Sequence, residues 1–135
     1  MRRPALLAAV LLAACTTPPE AGPDALQRME VDLLELDDAV ARYTAATGAL
    51  PPDIGTTLIQ GGYLDRVRSD PYSSGQTFDG IVTYGYTTGY DEAEGEFYVL
   101  YSVGPDGTMS FLHDPKAHRI LARGDDEIQT NLFVE

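Results

Sequence analysis

Apolar positions between residues 24 and 47 recur at alternating intervals of three and four: Leu26, Met29, Leu33, Leu36, Val40 and Tyr43. That period lays one apolar face along a helix. Asp24 followed by Gln27 fits a capping box at its start. Gly48 supplies a left-handed cap and Pro51-Pro52 blocks continuation, so the spacing predicts a helix from about Ala25 to about Thr47. At about 23 residues it is about 34 Å long. Val31, Leu34 and Ala41 broaden the stripe beyond a narrow seam, so the helix requires a partner surface.

After the helix the pattern changes. From Ala49 to Gly80 glycine, proline and aspartate dominate, and only Thr57-Leu58-Ile59 suggests a single helical turn within a long loop. Two β-branched and aromatic runs bounded by glycine follow, Ile81 to Tyr86 and Glu96 to Val103, with Thr87 to Gly95 as the connection of a hairpin. Met109 to Leu112 and Arg119 to Ala122 flank His113-Asp114-Pro115-Lys116 and predict a second, smaller hairpin. One long helix followed by strands is the order of an α+β domain, a helix packed across a small antiparallel sheet.

The start of the chain has a pattern of its own. Met1-Arg2-Arg3 precedes an apolar run from Pro4 to Ala14, which ends in Leu12-Ala13-Ala14-Cys15. The run is about half of the roughly 20 apolar residues a membrane span needs, so it reads as a secretion signal and not as a retained anchor. Cys15 is the only cysteine, an odd count for an exported domain unless the thiol is consumed. Leu12 to Cys15 resembles the lipobox of bacterial lipoproteins at each position, which implies cleavage before Cys15 and lipid on its sulfur. Residues 1–14 are then a signal peptide, 15–23 a lipidated cysteine with a proline-rich tether, and 24–135 one domain. Thr16 stands where aspartate would resemble an inner-membrane retention signal, which leans the anchor toward the outer membrane, facing the periplasm.

Charge narrows the partners. Removal of Arg2 and Arg3 leaves seven of the nine basic residues against 21 acidic ones, a net charge of −14. Nucleic acid is excluded as a partner by that balance, and anionic headgroups repel it, so lipid must provide the membrane attachment. Excess carboxylate instead invites divalent cations.

Several segments together resemble a known family. In order they are the long helix, Gly61-Gly62-Tyr63-Leu64, Ser69-Asp70-Pro71-Tyr72, Tyr98 to Gly107 with its Ser102-Val103-Gly104-Pro105-Asp106-Gly107 end, and Asp125-Asp126-Glu127-Ile128. The set is similar to the globular domain of the type II secretion major pseudopilin, the G-type subunit. The resemblance implies a calcium ion in the loop after the last long strand, held by the side chain of Asp106, the carbonyl of Val103 and carboxylates of Asp125 and Asp126. Calcium takes six to eight oxygens and accepts carboxylates mixed with carbonyls from a bent loop. Without a cation, bringing Asp106 near that pair costs about 3 kcal/mol per contact at about 5 Å and an effective dielectric of about 20. The chain departs from the family in two ways. A lipobox and tether replace the membrane-spanning half-helix that packs subunits into a filament, and residues 108–124 replace a shorter loop, so Asp114 or Glu127 becomes an alternative ligand.

Other chemistry is weaker. His113, Asp114 and His118 have metal-ligand types but no spacing that fixes both imidazoles on one side, so they are read as surface residues. Tyr84, Tyr86, Tyr90, Tyr98 and Tyr101 fit a half-buried sheet better than a sugar-stacking platform. No segment unites nucleophile, base and oxyanion donors, so no enzyme and no small-molecule substrate are expected. The expectation is a lipid-anchored protein, stabilised by Ca2+, that binds secretion- or pilus-type protein partners; the alternative is a periplasmic lipoprotein that binds glycan or cell-wall fragments.

Overall fold

The structure, a computed structural model, describes residues 23–105, 107, 109–122 and 127–134. The first element, α1, is Pro23–Thr47. Proline suits the first helical position because its φ is pre-set and its missing N–H has no acceptor there. Asp24 therefore stands inside the first turn instead of capping it, where its charge still faces the positive end of the helix dipole. At the other end Gly48 takes φ +81°, and its N–H donates to the Thr44 carbonyl at 2.8 Å. This is the left-handed stop expected of a glycine.

Met29, Leu33, Leu36 and Val40 are buried as the spacing requires, each stabilising the fold by roughly 1.5–3 kcal/mol, whereas Leu26 of the same face is 46% exposed. The added residues of the broad stripe behave otherwise: Val31 is 51% exposed and Leu34 56% exposed. The short helix α2, Thr56–Gln60, follows, and Asp53 caps it by accepting from the N–H groups of Gly55 and Thr57 and from the Thr57 hydroxyl.

Among the described residues, eight strands form three small sheets. β1 (Thr77–Phe78) and β2 (Ile81–Val82) make a two-stranded ladder. β3 (Gly85–Asp91), β4 (Gly95–Ser102) and β7 (Glu127–Thr130) make an antiparallel sheet in the order β3-β4-β7. β5 (Phe111–Asp114), β6 (Arg119–Ala122) and β8 (Phe133–Val134) make the third, in which β6 and β8 run parallel. The α+β class holds, but the single antiparallel sheet of the sequence reading is divided. The run Ile81 to Tyr86 breaks at Thr83 and Tyr84. β3 continues to Asp91, so the hairpin turn is only Glu92 to Glu94.

The division follows from β4. Phe97, Tyr98, Val99 and Leu100 are buried one after another, which a strand with one wet face does not do. Tyr98 and Leu100 pack with Met29, Leu33, Leu36 and Tyr84 against α1. Phe97 and Val99 point the other way and pack with Ile120, Leu132, Tyr101, Phe111 and Ile128. The central sheet thus lies between the helix and the β5-β6-β8 sheet. The chain passes from one sheet to the other at Asn131, whose Oδ1 accepts the Tyr98 N–H at 3.0 Å. Gly85 lies under the Tyr101 ring, where an added Cβ would come within 2.2 Å of it.

Candidate functional site

Three of the family-like segments meet at one end of the central sheet. Asp70, 3% exposed, is the junction. Its Oδ1 accepts the Tyr72 N–H at 2.9 Å and the Ser102 hydroxyl at 3.0 Å. Its Oδ2 accepts the Ser74 N–H at 2.9 Å and the Ser74 hydroxyl. The Asp70 N–H donates to the Val82 carbonyl at 3.0 Å. Ser74 Oγ in turn accepts the Val103 N–H at 2.9 Å. A buried carboxylate is tolerable only when its lone pairs are occupied in this way. The result is a loop, Ser69-Asp70-Pro71-Tyr72, fastened by two serines to the point where β4 ends.

Beyond that point the backbone bends through Gly104 at φ +72° and Gly107 at φ +69°, and the Gly107 N–H donates to the Gly104 carbonyl at 3.1 Å. These are the bends that glycine permits without strain. Val103 is buried at the start of the bend. Of the other calcium ligands implied by the resemblance, Asp106, Asp125 and Asp126 lie outside the described residues, as does Cys15. Glu127, the alternative ligand, opens β7 and stands opposite Ser102 in the β4–β7 register. Burial pushes its carboxyl up, and the nearby charge of Glu30 adds to the shift. Asp114 does different work: its Oδ1 accepts the N–H groups of Lys116 and Ala117 in the β5–β6 turn.

Gly61-Gly62-Tyr63-Leu64 closes α2 onto α1. The Leu58 carbonyl accepts the N–H groups of Tyr63 at 2.8 Å and Leu64 at 3.2 Å, and Gly62 takes φ +81°. Tyr63 then packs edge-on against Tyr43, while Arg42 donates to the Tyr63 carbonyl at 2.9 Å.

A second polar cluster was missed in the sequence. His113 Nε2 lies 2.7 Å from Asp91 Oδ1, and His118 Nδ1 lies 2.8 Å from Asp91 Oδ2. Oδ2 also accepts the N–H groups of Ala93 and Glu94. Asp91 has no exposed surface, and burial by itself raises such a carboxyl. The hydrogen bonds of His113, the Glu94 and Ala93 N–H groups and His118 outweigh it and hold the acid at about 2. The imidazoles are therefore half-buried ties between the β3–β4 turn and the β5–β6 hairpin, not surface residues. His118, the last residue of the turn that Asp114 caps, reaches Asp91 with φ +57°. Asp91 carried no signal because it lies 22 and 27 residues from its partners. Among the described residues no group of three or more His, Cys, Asp or Glu side chains is arranged to hold a metal ion.

The tyrosines divide between packing and surface. Tyr84 donates its hydroxyl to Asp32 at 2.8 Å, Tyr86 to the Pro51 carbonyl at 2.7 Å, and Tyr98 to Asp37. Burial first, and the facing carboxylates after it, raise all three phenols far above their ordinary value. Tyr101 packs on Phe111 with ring centroids 4.8 Å apart, and Tyr90 is 68% exposed.

Among the described residues no helix is long and apolar enough to cross a membrane. Comparison with family models, with curated proteins and with solved structures finds no match for this chain.

Proposed function

We propose that the chain is a lipid-anchored, non-enzymatic protein whose domain is pseudopilin-like, acting through protein contacts at an envelope assembly related to type II secretion or type IV pili. Cys15 bears the lipid, and the domain faces the periplasm at the end of a short tether, more readily from the outer membrane. A calcium ion orders the loop after β4, with the Val103 carbonyl and the side chains of Asp106, Asp125 and Asp126 as ligands.

The observation that supports this reading best is the convergence around Asp70. Segments more than 30 residues apart in the chain, Asp70-Pro71-Tyr72 and Ser102-Val103-Gly104, are joined through Ser74 and Ser102. The register Ser102↔Glu127 brings the strand that follows Asp125-Asp126 to the same sheet end. The donors are hard oxygens, which suit calcium and not a softer metal. The glycan-binding alternative has less behind it, because Tyr84, Tyr86 and Tyr98 direct their hydroxyls into the protein.

Thermal melts of the protein in excess calcium and in chelator test the ion. At 100 times the dissociation constant a ligand of the folded state adds about 2.7 kcal/mol, a shift of several degrees for a domain of this size. Asp106→Ala abolishes the difference; superimposable melts of the parent protein would remove calcium from the proposal. Affinity capture of the tagged lipoprotein from its native envelope tests the assembly, and recovery of no secretion or pilus component counts against it.

A further inference from the structure

β3 is an edge of the central sheet, with β4 as its one neighbour. Which of its backbone groups face outward follows from β4. The Tyr98 N–H donates to Asn131 Oδ1 at 3.0 Å and the Tyr98 carbonyl accepts the Thr130 hydroxyl, so Tyr98 turns both groups toward β7 and neither toward β3. Opposed residues of an antiparallel ladder turn their groups either both together or both apart. Thr88 stands opposite Tyr98, so its N–H and carbonyl point away from β4, and by the period of two so do those of Tyr86 and Tyr90. Among the described residues these N–H and carbonyl groups have no partner. The strand also lacks the usual protections of an edge: Tyr86-Thr87-Thr88-Gly89-Tyr90 contains no charge and no proline, and its continuous register with β4 contains no bulge. Thr87, Thr88 and Tyr90 are exposed, and beside Tyr86 the edge borders a cavity of about 220 Å³ bounded by Pro52, Ile54, Gln76 and Phe78.

We infer that this edge receives an extended segment of a partner protein, added antiparallel to β3 as a further strand of the sheet and carrying a basic residue at every second position. Charge selects that occupant. Side chains opposite Tyr86, Thr88 and Tyr90 lie on the α1 face of the sheet, the face on which Tyr86 packs against the main core. There Glu96 stands across from Tyr90 in the ladder, and the charges of Glu96 and Asp53 both bear on the Tyr86 phenol. Asp37, bonded to the Tyr98 hydroxyl, adds a carboxylate from α1, and the β3–β4 turn adds Glu92 and Glu94, both exposed. Lys116 and the imidazoles of His113 and His118 belong to the β5–β6 hairpin, on the opposite face. A lysine or arginine opposite Tyr90 therefore meets Glu96 together with the ring of Tyr90, which is 68% exposed and offers a cation–π contact. A second copy paired through its own β3 would bring Glu92, Glu94 and Glu96 to the same acids, in a chain whose mature form is already strongly acidic. The edge thus repels its own kind and admits a cation. Strand addition needs neither the lipid anchor nor calcium, so its failure would leave both of those standing.

The probe is a blocked peptide of seven residues in which lysine and valine alternate, lysine at both ends, added to the detergent-extracted full chain. At saturation the amide exchange of Tyr86, Thr88 and Tyr90 is expected to slow by about tenfold or more, while Thr87 and Gly89, whose amides already face β4, do not change. The glutamate–valine counterpart binds about tenfold more weakly or not at all, and Glu96→Gln, a change at an exposed position, weakens the lysine peptide about threefold. N-methylation separates strand pairing from general attraction of charge. Methyl groups on the lysine backbone nitrogens, which point at β3, abolish binding, whereas methyl groups on the valine nitrogens, which point away, leave it within about twofold. The three amides unprotected at saturating peptide, equal affinity for the two peptide charges, or equal loss at both methylation positions would each overturn the assignment. Protection of the same amides that grows with protein concentration and needs no peptide would overturn it in favour of a second copy.

Discussion

Asp91 is fully enclosed and yet remains ionised because four donors converge on it. An acid depressed to about 2 in the folded state, against 3.8 unfolded, contributes stability that is complete above the unfolded value. That contribution is lost as pH falls through about 2. Asp91→Asn is therefore expected to melt lower at pH 6 and to lose less than the parent between pH 4 and pH 2, read by thermal melts across that range. Asp32 has the opposite sign. Burial raises its carboxyl despite the Tyr84 hydrogen bond and the Arg68 charge, so keeping it ionised weighs against folding once pH exceeds the unfolded value. Asp32→Asn still offers an oxygen to the Tyr84 hydroxyl, and the expected outcome is near-parent stability at pH 7 with a flatter dependence between pH 4 and 7. Equal pH slopes for parent and variant would contradict that assignment. Asp70→Ala has no such compensation: two N–H groups and two hydroxyls lose their acceptor inside the protein, at a cost of roughly 3 kcal/mol in denaturant titration.

At the scale of elements, α1 separates residues that the sequence treats alike. Leu36 and Leu34 are both leucines within one apolar pattern, yet Leu36 is fully buried and Leu34 lies open. Leu36→Ala should cost about 2–5 kcal/mol by cavity formation, and Leu34→Ala less than about 0.5 kcal/mol. The helix was legible because its period of 3.6 concerns one element and one core. β3 and β4 were legible in kind, but the connection between them, Thr87 to Gly95, was drawn too long. Thr87, Thr88 and Tyr90 suit a strand, and only the Asx turn of Asp91 fixes where it ends. Strands β7 and β8 were not anticipated, since four residues such as Glu127–Thr130 have no period of their own and become a strand by pairing with β4. Of the candidate site, the Gly104 and Gly107 bends could be read locally. The junction at Asp70 and the ties at Asp91 could not, because each gathers partners 22 or more residues away.

For the molecule as a whole, the two cores are unequal. Among the described residues, eleven buried ones make up the cluster that includes α1 and the central sheet, against four in the cluster between that sheet and the β5-β6-β8 layer. A layer resting on so little buried apolar surface opens more readily than the rest of the domain. Its attachment therefore depends on directional bonds to a degree the main core does not. The Asp91 ties to His113 and His118 hold one end of the hairpin, and the crossing at Asn131 and Leu132 holds the chain on its way to β8. Native-state hydrogen exchange should accordingly show two tiers, with amides of Phe111–Asp114 and Arg119–Ala122 exchanging through a lower-energy opening than those of Met29 to Val40 and Gly95–Ser102. Asp91→Asn removes the ionic part of the ties without touching either core. It should speed exchange in the β5–β6 hairpin while the slowest amides of β4 keep to the global unfolding rate measured for that variant. If both tiers accelerate together, the ties belong to the cooperative unit and the outer layer has no independent opening.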